Sequence, residues 1–308
     1  MNPDGAMTSR RLVRAFFRDA PCPRPPLLPL AFYHAARLDG SPPNLLLQDP
    51  TRLTRALADQ QRLLGADCVT LRLDAALLAE PAGIPVHWSP AGPAAQWEAA
   101  GECEWPPPDP WLRPPVSNLL EVIRRLRIQL RKEAPILAVL PEPVSLCRLA
   151  RADSPEKAEK TIGLVRGLAE EACRAGAEVV VLEEAGGEEG EKIQTGEITA
   201  ATESICNTVR YYNAYSVLCA SRNPARNAAD ALLLHPPIGP DRLPPDIRAG
   251  VFAPPTSFET PEGSAEFISA LEAAPRPVFL TTDDDTLLSY PIETTVALFA
   301  ALRQVHWG

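Results

Sequence analysis

The stretch Asp67-Cys-Val-Thr-Leu-Arg-Leu-Asp74-Ala-Ala-Leu-Leu-Ala-Glu-Pro-Ala-Gly-Ile-Pro-Val86 sets the frame for the whole chain. Cys68 to Leu73 are apolar and β-branched at Val69 and Thr70, and they follow Gly65, a helix terminator, so they read as a buried strand. Asp74 stands at the carboxyl end of that strand, where α/β folds place their chemistry. Ala75 to Ala79 are good helix formers, so the same aspartate also suits the N-cap of the next helix. Position alone leaves both roles open.

Outward from this stretch, strands and helices alternate. Leu27 to Phe32 follow Arg24-Pro25-Pro26 and read as a first strand, with Tyr33, His34 and Arg37 just past its end. Asp49-Pro50 opens a helix with an acid N-cap and proline at the first helical position. Ser117 opens a second, whose Leu119, Ile123, Leu126 and Leu130 face inward and whose arginines face solvent. Pro135 to Leu140 is the third strand and ends at Glu142. Ser154-Pro155 starts a long helix that Gly176 closes. Glu178 to Leu182 form the fourth strand, ending in Glu183, Glu184, Gly186 and Gly187; Tyr215 to Ala220, carrying Cys219, form the fifth. Ala231 to Leu234 ends at His235, Ala249 to Ala253 is the seventh strand, and Pro277 to Thr281 the eighth, followed by Thr282 and Asp283 to Asp285. About eight strand-and-helix units predict a closed (β/α)8 barrel over 1–308. Residues 1–23 are an N-terminal helix and arm, and 85–116 a Pro/Trp-rich insertion after strand 2. Trp88, Trp97, Trp105 and Trp111 in that insertion are expected to anchor it by packing, and they are also capable of forming an aromatic ligand wall.

The net charge of -9 and pI near 5.1 argue against nucleic acid or an anionic membrane as main partner. No apolar run reaches the roughly 20 residues of a membrane span, and the arginine-rich opening is no secretory signal, so a cytoplasmic location is expected. The seven cysteines are widely spaced without a Cys-x-x-Cys motif, as buried reduced thiols are.

Several motifs resemble one superfamily, that of uroporphyrinogen decarboxylase and the corrinoid and coenzyme M methyltransferases. Asp74, two residues after the apolar run, and Gly83 match the decarboxylase's catalytic strand and its following segment. Arg24-Pro25-Pro26-Leu27-Leu28-Pro29-Leu30 with His34-Ala35-Ala36-Arg37 resembles the methyltransferase branch. Gly176-Ala177-Glu178 through Gly187, and Thr281-Thr282-Asp283 with Tyr290-Pro291-Ile292-Glu293, resemble later family segments; Thr294 stands where asparagine is usual.

This resemblance implies a decarboxylase-like barrel. Asp74 and Arg37 would be its catalytic residues, and Tyr33, His34, Glu183, Glu184, Cys219 and His235 its substrate-binding ones. It implies cofactor-free decarboxylation of a tetrapyrrole or related carboxylated small molecule, with a homodimer as the family's assembly. The departures weigh against direct carry-over. Of the family's Arg-x-x-x-Arg motif only Arg37 matches, Tyr33 replacing the first arginine, which removes a carboxylate contact. The methyltransferase branch's zinc-binding His-x-Cys pair falls at Cys219 and Ser221, and no later cysteine follows, so no metal site is expected. The alternatives are a corrinoid-linked methyltransferase with a degraded zinc site, the only reading that calls for zinc, cobalamin or a corrinoid protein, and a ligand-binding member without catalysis.

Overall fold

The computed structural model describes residues 7–99, 105–131, 133–152, 154–184, 195–220, 228–234, 248–274 and 277–305. Its centre is a parallel sheet of seven strands: β1 (Val69–Arg72), β4 (Ile136–Pro141), β5 (Val179–Glu183), β6 (Tyr215–Ala220), β7 (Ala231–Leu234), β8 (Ala249–Phe252) and β9 (Val278–Thr281), in that spatial order. Strands β2 (Val86–Ser89) and β3 (Gly92–Ala95) form a separate antiparallel hairpin.

The sheet corrects the expected eight-stranded, uroporphyrinogen-decarboxylase-like (β/α)8 barrel. The segment expected to be the first strand makes only isolated bridges, Leu27 to Leu280 and Leu30 to Asp283. Leu28 and Leu30 donate to the carbonyls of Leu280 and Thr282, and Asp67 N–H donates to that of Leu27. Between them stands Pro29, which has no N–H to give, and Pro25 and Pro26 precede the segment. A strand so depleted of donors cannot sustain a ladder.

Alternation sorts the strand residues onto two faces. Ile136, Ala138, Leu140, Val180, Leu182, Leu218 and Leu232 pack under helices that include Pro50–Leu64, Val116–Leu130 and Pro155–Ala175. Leu137, Val139, Val179, Val181, Val217, Cys219 and Leu233 form a second core with Leu28, Leu30, Phe252 and Phe279. The first helix, Ser9–Phe17, plugs this second core from the amino ends of the strands. Phe16 meets Phe279 edge-on and Phe17 stacks on Tyr215. Polar latches fix the plug: Ser9 donates to Asp67 (2.6 Å), and Arg10 and Arg14 both reach Glu178.

Helix ends follow the sequence signals. Asp49 accepts from the N–H groups of Thr51 and Arg52, and Gly65 closes that helix at φ +62°. Ser154 accepts from Lys157 N–H ahead of the long Pro155–Ala175 helix. The four tryptophans of the 85–116 stretch lie against the core, Trp97 edge-on to Trp105, and Trp105 Nε1 donates to Thr161 (3.1 Å). That is the packing role. Among the described residues no helix is long and apolar enough to cross a membrane, and the six described cysteines are free.

Candidate functional site

The parallel register brings chemistry to the carboxyl ends of the strands. Pro141 pairs with Glu183, and Glu183 with Cys219, so these residues stand side by side at the ends of β4, β5 and β6. On β1, Cys68 belongs to the second core; alternation therefore puts Arg72, and Asp74 beyond it, on the same side.

Arg72 is the hub. Its Nη1 and Nη2 grip the two carboxylate oxygens of Glu183, the Nη2 contact at 3.1 Å, and Nη1 also donates to Asp74 Oδ1 at 3.3 Å. Tyr33 completes the chain by donating its hydroxyl to Asp74 Oδ2. Asp74 holds the N-cap position of the helix Ala75–Ala79, yet its side chain makes no capping bond. The carboxylate is spent across the strand ends and not on the cap.

Burial acts to lower the charge of Arg72, but Glu183, Asp74 and Asp284 around it hold the proton well above the ordinary guanidinium value. Burial pushes the Asp74 carboxyl up, against the opposing pull of Arg72 and the Tyr33 hydrogen bond. Tyr33, 3% exposed, is raised well above an ordinary phenol by burial and by Asp74. The pair therefore shares a proton that stays on tyrosine while the carboxylate accepts.

Arg37 lies elsewhere. Its Nη1 donates to the carbonyls of Leu287 (3.3 Å), Leu288 (3.2 Å) and Tyr290 (2.9 Å), at the end of the short helix Asp284–Ser289. His34 is fully buried, with Nδ1 3.2 Å from Gln60 Oε1, and burial lowers its basicity. Glu184 takes Arg148 at 3.1 Å. Cys219 is buried, and its thiol is pushed far up, first by burial and then by the charge of Glu183, which keeps it protonated. His235, Gly186, Gly187 and Ser221 lie outside the described residues.

The three aspartates after β9 divide their work. Asp283 caps the Asp284–Ser289 helix by accepting from Thr286 N–H. Asp284 reaches back to accept from Phe32 and His34 N–H, fixing the turn that carries Tyr33; burial raises its carboxyl to about 6. Sequence reading missed Arg72. Its signal was present in the i, i+2 spacing to Asp74, which places both side chains on one face of an extended segment. Among the described residues no group of three or more His, Cys, Asp or Glu side chains is arranged to hold a metal ion.

No family model matches the chain, and no curated protein does. Among solved structures, a methyltransferase from Methanosarcina mazei superposes with TM-score 0.73 at 15% identity, over 97% of this chain and 99% of that one. A phosphonopyruvate hydrolase gives TM-score 0.47 at 13% identity over 97% and 88% of the two chains. A phosphoenolpyruvate phosphomutase from Streptomyces platensis subsp. rosaceus gives 0.45 at 15% identity over 96% and 87%. At these identities the first likeness speaks for the fold.

Proposed function

We propose that the chain is an enzyme of methyl transfer to a small nucleophile, working where β1, β5 and β6 end, with Asp74 as the proton acceptor. The observation that carries this reading is the bond set of Arg72, whose two terminal nitrogens are held by Glu183 and Asp74 while its Nε is buried without a partner. A decarboxylase of polycarboxylates needs cations free to receive its substrate, and a charge-assisted contact of that kind is worth roughly 1.5–3 kcal/mol. At this mouth the described arginines Arg72 and Arg148 are already engaged with Glu183 and with Glu184, and Arg37 is spent on main-chain carbonyls away from it. Similarity in fold to a methyltransferase over nearly the full length of both chains supports the same choice.

In the proposed step the nucleophile loses its proton to Asp74 as its heteroatom attacks the methyl carbon. The new bond to carbon forms as the bond to the leaving group breaks, and the leaving group departs with that electron pair. Tyr33 keeps one carboxylate oxygen aimed and Arg72 offsets the repulsion between Asp74 and Glu183. Among the described residues no group of three or more His, Cys, Asp or Glu side chains is arranged to hold a metal ion, so no step is routed through zinc, and the methyl group comes from an external small-molecule donor.

The test supplies methylcobalamin as methyl donor with a panel of small thiols, and reads the cobalamin absorbance and the methylated product. Turnover by the native protein that falls about 100-fold or more in Asp74→Asn is expected, the usual worth of a general base. Turnover undiminished in Asp74→Asn would overturn the role of that residue. Absence of transfer to every acceptor would overturn the reaction.

A further inference from the structure

The hairpin of β2 and β3 was not anticipated; it meets Tyr33 directly and packs at the far end of the short helix that follows Asp74. Its register runs from Val86 with Ala95 to Ser89 with Gly92, and Ser89 Oγ ties to the Gly92 carbonyl at 3.0 Å. Val86 and Ala95 pack on Ala79, Ala82 and Ile84, so the base of the hairpin rides on the helix that Asp74 begins. At the tip, Gly92 has φ +120° and lies flat against the Tyr33 ring. A Cβ at this position would fall on the ring atoms Cδ2, Cε2 and Cζ, inside van der Waals contact. The ring has no room to retreat, since it is 3% exposed and backed edge-on by Phe32 with centroids 4.9 Å apart.

We propose that this hairpin sets the Tyr33–Asp74 hydrogen bond, with Gly92 as the positioning residue that allows the phenol to lie close enough to donate. The proposal rests on the reading of Asp74 as proton acceptor, because a carboxylate held by a hydroxyl has its affinity for a proton fixed by how well that hydroxyl is placed. Gly92 touches no reacting atom. Its influence passes through the ring of Tyr33 to the basicity of Asp74, so the hairpin tunes the base.

The experiment follows the Asp74 carboxyl by carbon NMR titration, assigned with Asp74→Asn, in the native protein, Tyr33→Phe, Gly92→Ala and the double variant. Loss of a hydrogen bond to the charged form in Tyr33→Phe raises the Asp74 pKa by about one unit, a roughly tenfold gain in proton affinity. Gly92→Ala is expected to raise it by a similar amount, and the double variant to match Tyr33→Phe alone. A native titration in Gly92→Ala, or a further shift when it is added to Tyr33→Phe, overturns the proposal. Should Gly92→Ala not fold, the same substitution is made in Tyr33→Ala. The φ penalty is common to both backgrounds, so recovery of folding there isolates the ring contact and supports the proposal, while equal loss in both overturns it. None of these readouts involves methyl transfer, so a native-like failure of turnover leaves them independent.

Discussion

Replacing Arg72 by methionine removes the one cation that Asp74 and Glu183 share, and its cost can be worked from the geometry. The side chains of Arg72, Asp74 and Glu183 are 14%, 19% and 26% exposed, so the cluster is mostly but not wholly shielded. Breaking a buried ion pair by removing one partner costs about 3–5 kcal/mol, because the remaining charge stays desolvated without compensation. Partial exposure and the Tyr33 hydroxyl that remains on Asp74 place Arg72→Met at the lower end, about 3 kcal/mol at pH 7. Burial already raises the Asp74 carboxyl, and without the opposing pull of Arg72 it rises further, so the folded variant binds more protons at Asp74 than the unfolded chain does. Stability of the variant is then lost as pH rises above the ordinary carboxylate range, and is regained below it. Urea denaturation of native and variant protein at a series of pH values reads this directly. The gap should be narrow near pH 4 and full at pH 7, and Arg72→Met/Asp74→Asn/Glu183→Gln should close much of it. A gap below about 1 kcal/mol, or one that does not change with pH, would refute the account of a shared cation.

Two further predictions concern the surroundings of the site. Asp284 titrates at about 6 in the folded protein against an ordinary 3.8, so the fold favours its protonated form. Its contribution falls as pH rises from about 4 to 6, by about 3 kcal/mol or less, and the difference between native and Asp284→Asn stability curves should be confined to that window. Parallel curves there would contradict it. Trp105→Ala removes packing against Trp97 and the bond to Thr161, and should lower stability by about 3 kcal/mol or less, as partly buried aromatic truncations do, without shifting the Asp74 titration. A shifted titration with unchanged stability would restore the tryptophans as a ligand wall.

The strands were legible where the chain is simplest. Val179–Val181 can only be a buried strand between a helix-closing glycine and acids, and it is β5. Asp49-Pro50 and Ser154-Pro155 announce helices whose caps the structure contains. The first expected strand failed because apolar periodicity carries no information about donors, and Pro29 interrupts the ladder that the leucines would otherwise support. The hairpin was hidden because prolines and tryptophans dominate its neighbourhood, while its one informative residue, Gly92, is fixed by contact with Tyr33, far back along the chain and invisible to local reading. Arg37 followed a motif position, and the chain spends it instead on the carbonyls that end the Asp284–Ser289 helix.

Asp74 was legible as a residue and Arg72 was not, and this asymmetry matters for chemistry. A strand-end aspartate alone is consistent with capping, catalysis or metal binding. Once Arg72 is seen between Asp74 and Glu183, the charge balance of the site changes sign: one guanidinium faces two carboxylates, with Asp284 close enough to add to the field on it. Such a site repels a polyanion and presents no unoccupied described guanidinium for its carboxylates. It suits a neutral or cationic reactant that can surrender a proton to a carboxylate already raised by burial. Tyr33, which stands where the motif that this segment resembles carries an arginine, supplies a hydroxyl to Asp74 where an arginine would have suppressed its basicity.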